Sequence, residues 1–137
     1  MKHLAALICL AAAACTSAAD RHVQAVDPGA SFTLGVGEAA TVKDSGMTLR
    51  FVSVNEDSRC PRDTTCIWAG EVKAQFEIRR AANAAARIEL NEGGSEVFGE
   101  YRVTLVSVEP PRMNATPIAA QAYRVTLTIE ATRIAAS

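Results

Sequence analysis

Two cysteines, Cys60 and Cys66, are the residues with the most chemistry to offer, and their spacing limits what that chemistry is. Such a pair serves as a redox couple, as part of a metal site, or as a structural disulfide. Thioredoxin-like redox work places two residues between the thiols, so that a low-potential thiolate sits beside its resolving partner at a helix start. Here Pro61, Arg62, Asp63, Thr64 and Thr65 intervene, in a stretch without helix signals. A metal site needs further ligands, and past His3 the only histidine is His22. A disulfide is the favoured reading; on the chain-entropy account it adds about 2–2.5 kcal/mol to the stability of a domain.

The neighbours of the pair fit a stiff loop. Pro61 fixes a backbone angle directly after the first cysteine, and Asp63, Thr64 and Thr65 are turn and local-bonding types. Trp68, the only tryptophan, is expected to lay its ring near the disulfide as a core plug. Gly70 permits a bulge or a close backbone approach where loop becomes strand. Arg59, Arg62 and Asp63 beside Trp68 make either a polar recognition tip or a set of local salt bridges that holds the loop.

Other chemistry is poorly served. A Ser-His-Asp arrangement has no histidine in the folded part to act as base. Glu56 with Asp57, and Glu89 with Glu92, read as solvated strand ends rather than as acid–base pairs. Arg79-Arg80 is too short for a basic patch, and a formal net charge of −1 carries no electrostatic footprint for nucleic acid. Asn114-Ala115-Thr116 matches a glycosylation acceptor that a bacterial-type export signal leaves without meaning. No catalytic residue, metal or cofactor is assigned.

The elements that must carry this loop are strands. The 137 residues suffice for one domain. Val72, Ala74, Phe76 and Ile78 alternate with Glu71, Lys73, Gln75, Glu77 and Arg79, the period of a half-buried strand. Phe32 to Val36, Ala40 to Lys43, Met47 to Val54, Ala86 to Leu90, and Val97-Phe98 follow the same habit. "YRVTL" occurs at Tyr101 to Leu105 and again at Tyr123 to Leu127, each with Tyr, Val and Leu on one face. Pro110-Pro111 ends the first of these, and a connection over 112–122 leads to the second. Seven or eight such strands predict an all-β domain over 31–137, an antiparallel sandwich with an immunoglobulin-like form preferred and a small barrel as the alternative.

The chain starts as an exported protein does. Met1-Lys2-His3 is basic, and the eleven apolar residues from Leu4 to Ala14 span about 16 Å as a helix, too short to cross a bilayer. Residues 1–14 therefore read as a signal peptide. Ala12-Ala13-Ala14-Cys15 resembles the lipobox of bacterial lipoproteins, with Ala12 where leucine is usual. That resemblance implies a lipidated Cys15 and, with Thr16 following, an outer-membrane destination facing the periplasm. The alternative is ordinary cleavage after Ala14 or Ala19 and a soluble periplasmic or secreted product. Residues 15–30 read as the lipidated cysteine and a flexible tether with a reach of roughly 20 Å. Cys9 leaves with the signal and Cys15 takes the lipid, so Cys60 and Cys66 remain as an even pair for an oxidising compartment.

The run Asp57-Ser58-Arg59-Cys60-Pro61, followed by Cys66-Ile67-Trp68-Ala69-Gly70, resembles a widespread group of small, uncharacterised bacterial envelope lipoproteins and secreted proteins. The later run from Tyr101 through Pro110 to Tyr123 is also similar. The resemblance implies a small β-rich envelope domain and brings no catalytic residue. The expected function is accordingly a non-enzymatic envelope lipoprotein whose β domain presents loops for binding. Its partners would be the membrane, through the anchor, and an envelope protein or glycan. A secreted inhibitor-like or chaperone-like module, and a hydrolase or redox enzyme, are the alternatives.

Overall fold

The computed structural model describes residues 22–114 and 116–132. The expected signal peptide, Cys15 and the first part of the tether lie outside the described residues.

Among the described residues, nine strands form two sheets that stack as a sandwich, each rich in antiparallel pairs. One sheet contains β1 (Val23–Val26), β3 (Ala39–Val42), β4 (Met47–Asp57), β5 (Val72–Arg80) and β6 (Ala86–Asn91), neighbours in that order. The other runs β2 (Ser31–Gly35), β9 (Arg124–Ala131), β8 (Tyr101–Glu109), β7 (Ser95–Phe98). Each sheet is largely a meander of consecutive strands, with β2 crossing to the edge of the second. This connectivity is simpler than the interleaved order of immunoglobulin domains.

Alternation places the core as expected. Val72, Ala74, Phe76 and Ile78 of β5 are buried against Met47, Leu49 and Phe51 of β4. The Phe51 and Phe76 rings lie 5.6 Å apart, tilted by 36°. Val103, Leu105, Val125, Leu127 and Ile129 supply the facing layer. Both "YRVTL" segments turn their Val and Leu inward, and β8 stops at Glu109, before the two prolines.

Bulges reset the phase where strict alternation would bury polar groups. Continuing inward from Phe51 by twos would place Ser53 and Asn55 in the core. Irregularities between Phe51 and Ser53, and between Val54 and Glu56, instead set Val54 opposite Ala74 and Asp57 opposite the buried Val72. Residues directly opposite in an antiparallel pair share a face. The second bulge therefore brings the Asp57 carboxylate back to the inner face at the rim of the sandwich. In β8 a bulge between Leu105 and Ser107 likewise turns Val108 inward beside Val125.

The segment expected as tether is partly a strand. Val23–Val26 pairs in parallel with Ala39–Val42, and Gln24 Nε2 donates to the Thr33 carbonyl at 2.7 Å. Four residues are too few to show a period, and only Val26 is buried, so the backbone ladder rather than an apolar face holds β1. The folded domain thus begins before residue 31.

Candidate functional site

The Asp57 carboxylate organises the end of the sandwich at which β4, β8 and β9 converge. Its Oδ1 accepts from Arg59 Nε at 2.9 Å and from the Arg59 amide at 3.3 Å. Its Oδ2 accepts from Arg59 Nη2 at 2.9 Å and from the Tyr123 hydroxyl at 2.8 Å. Arg59 also donates through Nη1 to the Val108 carbonyl at 2.8 Å and through Nη2 to the Pro110 carbonyl at 3.1 Å. The Asp57 side chain is 9% exposed and that of Arg59 15%, so this forked pair works largely out of water. It ties the end of β4 in one sheet to the end of β8 and the start of β9 in the other.

Arg112 and Glu92 extend the clamp. Arg112 Nη1 donates to the Asp57 and Arg59 carbonyls at 3.2 and 3.3 Å. Glu92 Oε2 accepts from the Val108 amide at 2.8 Å, at the β8 bulge. Between these side chains lies a polar cleft of about 260 Å³ with Arg59, Arg62, Arg112, Glu92 and Glu109 on its walls. Its charges are mixed in sign, and two of its three arginines are committed to backbone carbonyls.

Charge states follow from this packing. Burial pushes the Asp57 carboxyl up, but the Arg59 and Tyr123 hydrogen bonds and the Arg59 charge outweigh it, and the group is held below the usual carboxylate value. The Asp57 hydrogen bond raises Arg59 against the opposing effect of burial. Burial, followed by the hydrogen bond to Asp57, pushes the Tyr123 phenol up to about 12. Asp57 is therefore an ionised acceptor with both oxygens occupied, and Tyr123 a neutral donor. That arrangement fastens strands together and leaves neither group free to move a proton for a substrate.

The disulfide loop rises from this base. Cys60 and Cys66 are bonded, with Cα atoms 5.9 Å apart. Ser58 and Glu71 exchange hydrogen bonds across the loop's root, and the Cys60 amide donates to the Ala69 carbonyl at 3.3 Å. Gly70 has φ +67°, and a Cβ there would collide with the Ser58 carbonyl, so the close approach expected of this glycine is what the root requires. The connection after β8, which includes a single 3-10 turn at Ala120–Ala122, braces the loop from one side. The Arg62 amide donates to the Arg112 carbonyl at 3.0 Å, and Asp63 Oδ1 accepts from the Asn114 amide at 2.9 Å.

Trp68 does not plug the core. It is 82% exposed, and its neighbour Ile67 is 93% exposed. The reason is positional: the rim of the sandwich is already filled by Asp57, Arg59 and Tyr123, and the Gly70 turn carries residues 66–69 out past them. Met113, 50% exposed, stands on the bracing connection next to the residues that bond Arg62 and Asp63.

The four expected loop residues thus divide. Arg59 takes the salt-bridge role, Asp63 braces the connection, and Arg62 and Trp68 stand exposed at the loop's outer part. Tyr123, Arg112 and Glu92 join the cluster with no sequence motif to mark them for it. Tyr123 lies 66 residues from Asp57 along the chain, and no local pattern announces that contact. Among the described residues no group of three or more His, Cys, Asp or Glu side chains could hold a metal ion, and no helix is long and apolar enough to cross a membrane. The chain matches no protein-family model, no curated protein and no solved structure.

Proposed function

We propose that this chain is a lipid-anchored envelope protein, attached through Cys15, whose rigid β sandwich presents the Cys60–Cys66 loop as its contact element. The observation that carries the reading is the exposure of Ile67 and Trp68 on a loop stapled by a disulfide and braced by a second loop. Large apolar side chains together on a stiff, protruding element mark a surface used for contact. The staple and brace also lower the ordering penalty that a free loop meets on binding. Loops on a stiff scaffold are where binding function commonly sits. The export-type N-terminus and the bonded cysteine pair support an oxidising compartment.

The test is site-specific photo-crosslinking in intact cells. A photoreactive residue in place of Trp68 is expected to form adducts, whereas one in place of Asn83, in the turn after β5 at the far end of the sandwich, is not. Equal labelling at both positions would refute a dedicated contact loop. Mass spectrometry of the mature N-terminal peptide checks the anchor: an acylated Cys15 supports it, and an unmodified N-terminus refutes it.

A further inference from the structure

Strand β6 is an open edge of its sheet, and its chemistry is complementary to itself. It pairs with β5 alone, through six residue pairs without a bulge. The Glu92 amide donates to the Val72 carbonyl at 3.3 Å, which makes Glu92–Val72 a hydrogen-bonded pair of this ladder. Such pairs alternate along antiparallel strands, so Ala86, Ile88 and Leu90 turn their amides and carbonyls toward β5. Those of Arg87 and Glu89 point away from the sheet, where no strand among the described residues meets them. The other edges offer less. β1 and β7 have four residues each, and in β2 the Thr33 carbonyl is taken by the Gln24 side chain.

Charge decides which strand fits this edge. The exposed side chains of Arg87 and Glu89 share the outer face of the sheet, while Ile88 and Leu90 are buried beneath it. A second β6 laid antiparallel, with Ile88 opposite its own copy, sets each Arg87 against the Glu89 of the other chain. These are the residues with free backbone groups, so each such pair also exchanges two hydrogen bonds. Arg50 of β4 lies opposite Glu77 of β5, and Glu77 opposite Arg87. Charge therefore alternates in sign along the row from Arg50 across the join to the second Glu89. Centring the pair on Arg87 or on Glu89 would oppose like charges. A slip of one residue would turn the buried face outward, and a centre nearer either end leaves fewer residues to pair.

We infer that this chain forms a two-fold dimer through β6, joining the five-stranded sheets of two copies into one. Proteins commonly blunt an edge with proline, bulges or charges that repel a copy. β6 holds neither proline nor bulge, and its two charges are opposite in sign. Neighbouring charges leave the pairing intact: Lys73 is held by Glu56 and Glu71, and Arg79 lies on β5 beyond the residues that face β6. The paired span stops at Ala86, short of the turn that holds Asn83. Because the two β6 strands run in opposite directions, the two disulfide loops lie at opposite ends of the joined sheet. A single pair of short strands makes a small interface, so the association is weak and concentration-dependent. It depends neither on the anchor nor on what the disulfide loop contacts.

Sedimentation equilibrium of the full mature protein, in mild detergent if acylated, tests the pairing by charge exchange. The parent is expected to dimerise. Arg87→Glu and Glu89→Arg, each alone, oppose like charges twice across the two-fold and should weaken the dimer roughly tenfold or more. Mixing these two variants sets opposite charges against each other again and should recover the association. The double exchange, Arg87→Glu with Glu89→Arg in one chain, should recover it too. Both residues are exposed, so every variant should keep the parent's circular-dichroism signal. A parent that stays monomeric up to its solubility limit refutes the inference. A dimer that neither single variant weakens has its interface elsewhere and refutes it as well. Weakening that neither the mixture nor the double exchange repairs would overturn the register.

Discussion

Arg59 closes on the carboxylate of Asp57, two residues back in the chain, and the same guanidinium reaches the carbonyls of Val108, in the opposite sheet, and of Pro110, just past the end of β8. A contact that is local in sequence thereby becomes the fastening between two sheets. Its parts are not interchangeable, because the planar fork serves three acceptors at once. Arg59→Ala is expected to cost about 2–4 kcal/mol, since it strands a largely buried carboxylate and two carbonyls. Arg59→Lys should recover only part of the loss. Urea denaturation measures both, and a loss below about 0.5 kcal/mol for Arg59→Ala would place the pair among ordinary surface bridges.

The pH dependence of stability follows from the same cluster. Asp57 titrates below its usual value in the fold, so the stability it contributes is present above the unfolded carboxyl value of about 3.9 and is lost as pH falls through the folded one. Tyr123 behaves in the opposite sense. Its neutral form is preferred, so its contribution is whole below about pH 10 and is lost as pH rises toward about 12. Denaturation midpoints across pH should show Asp57→Asn flattening the acid limb and Tyr123→Phe flattening the alkaline one. Unchanged slopes in both variants would contradict the assignment.

Side-chain alternation makes much of this fold legible in the sequence, because each strand from β2 to β9 carries at least part of an apolar face. β5 is the plainest case, with four inward residues at strict twos. Legibility fails where burial does not control placement. β1 is held by backbone bonds at a sheet edge and leaves no period to read. Trp68 has the composition of a core residue, yet a turn at Gly70 and a polar cluster at the rim decide its position. The Tyr123–Asp57 bond joins distant positions, and the bulges that aim Asp57 inward interrupt the alternation that would otherwise point to it. The disulfide is readable because its alternatives demand spacing and ligands that this chain lacks.

Gly70 and Gly93 separate two kinds of glycine requirement. Both have positive φ, +67° and +82°, but a Cβ on Gly93 meets open space while one on Gly70 meets the Ser58 carbonyl. Gly93→Ala should cost about 1 kcal/mol, the conformational part alone. Gly70→Ala should cost at least about 2 kcal/mol and open the root of the loop, because the backbone must move as well. Thermal melts compare the two directly, and equal losses would mean that the close approach at Ser58 is easily relaxed.

Removing the staple tests whether the loop or the sandwich depends on it. Cys60→Ser with Cys66→Ser should lower stability by about 2–2.5 kcal/mol while the β circular-dichroism signal persists, since the core strands do not pass through the loop. Trp68 fluorescence anisotropy should fall as the loop gains freedom. Full unfolding of the double variant would show that the Asp57 clamp cannot hold the two sheets together without the covalent link.

The sharpest discrimination concerns Trp68 itself. A tryptophan packed as a plug is expected to cost about 3–5 kcal/mol when cut back to alanine, because it leaves a large cavity. At 82% exposure there is little to lose, and Trp68→Ala with Ile67→Ser should leave stability within about 0.5 kcal/mol of the parent. The pair would then carry a risk to solubility without structural benefit, which is the condition expected of a contact surface. Urea denaturation of this double variant, followed by circular dichroism because it lacks the sole tryptophan, decides the matter. A loss of several kcal/mol would mean that the ring packs onto the domain in solution, and the loop would then be a structural cover.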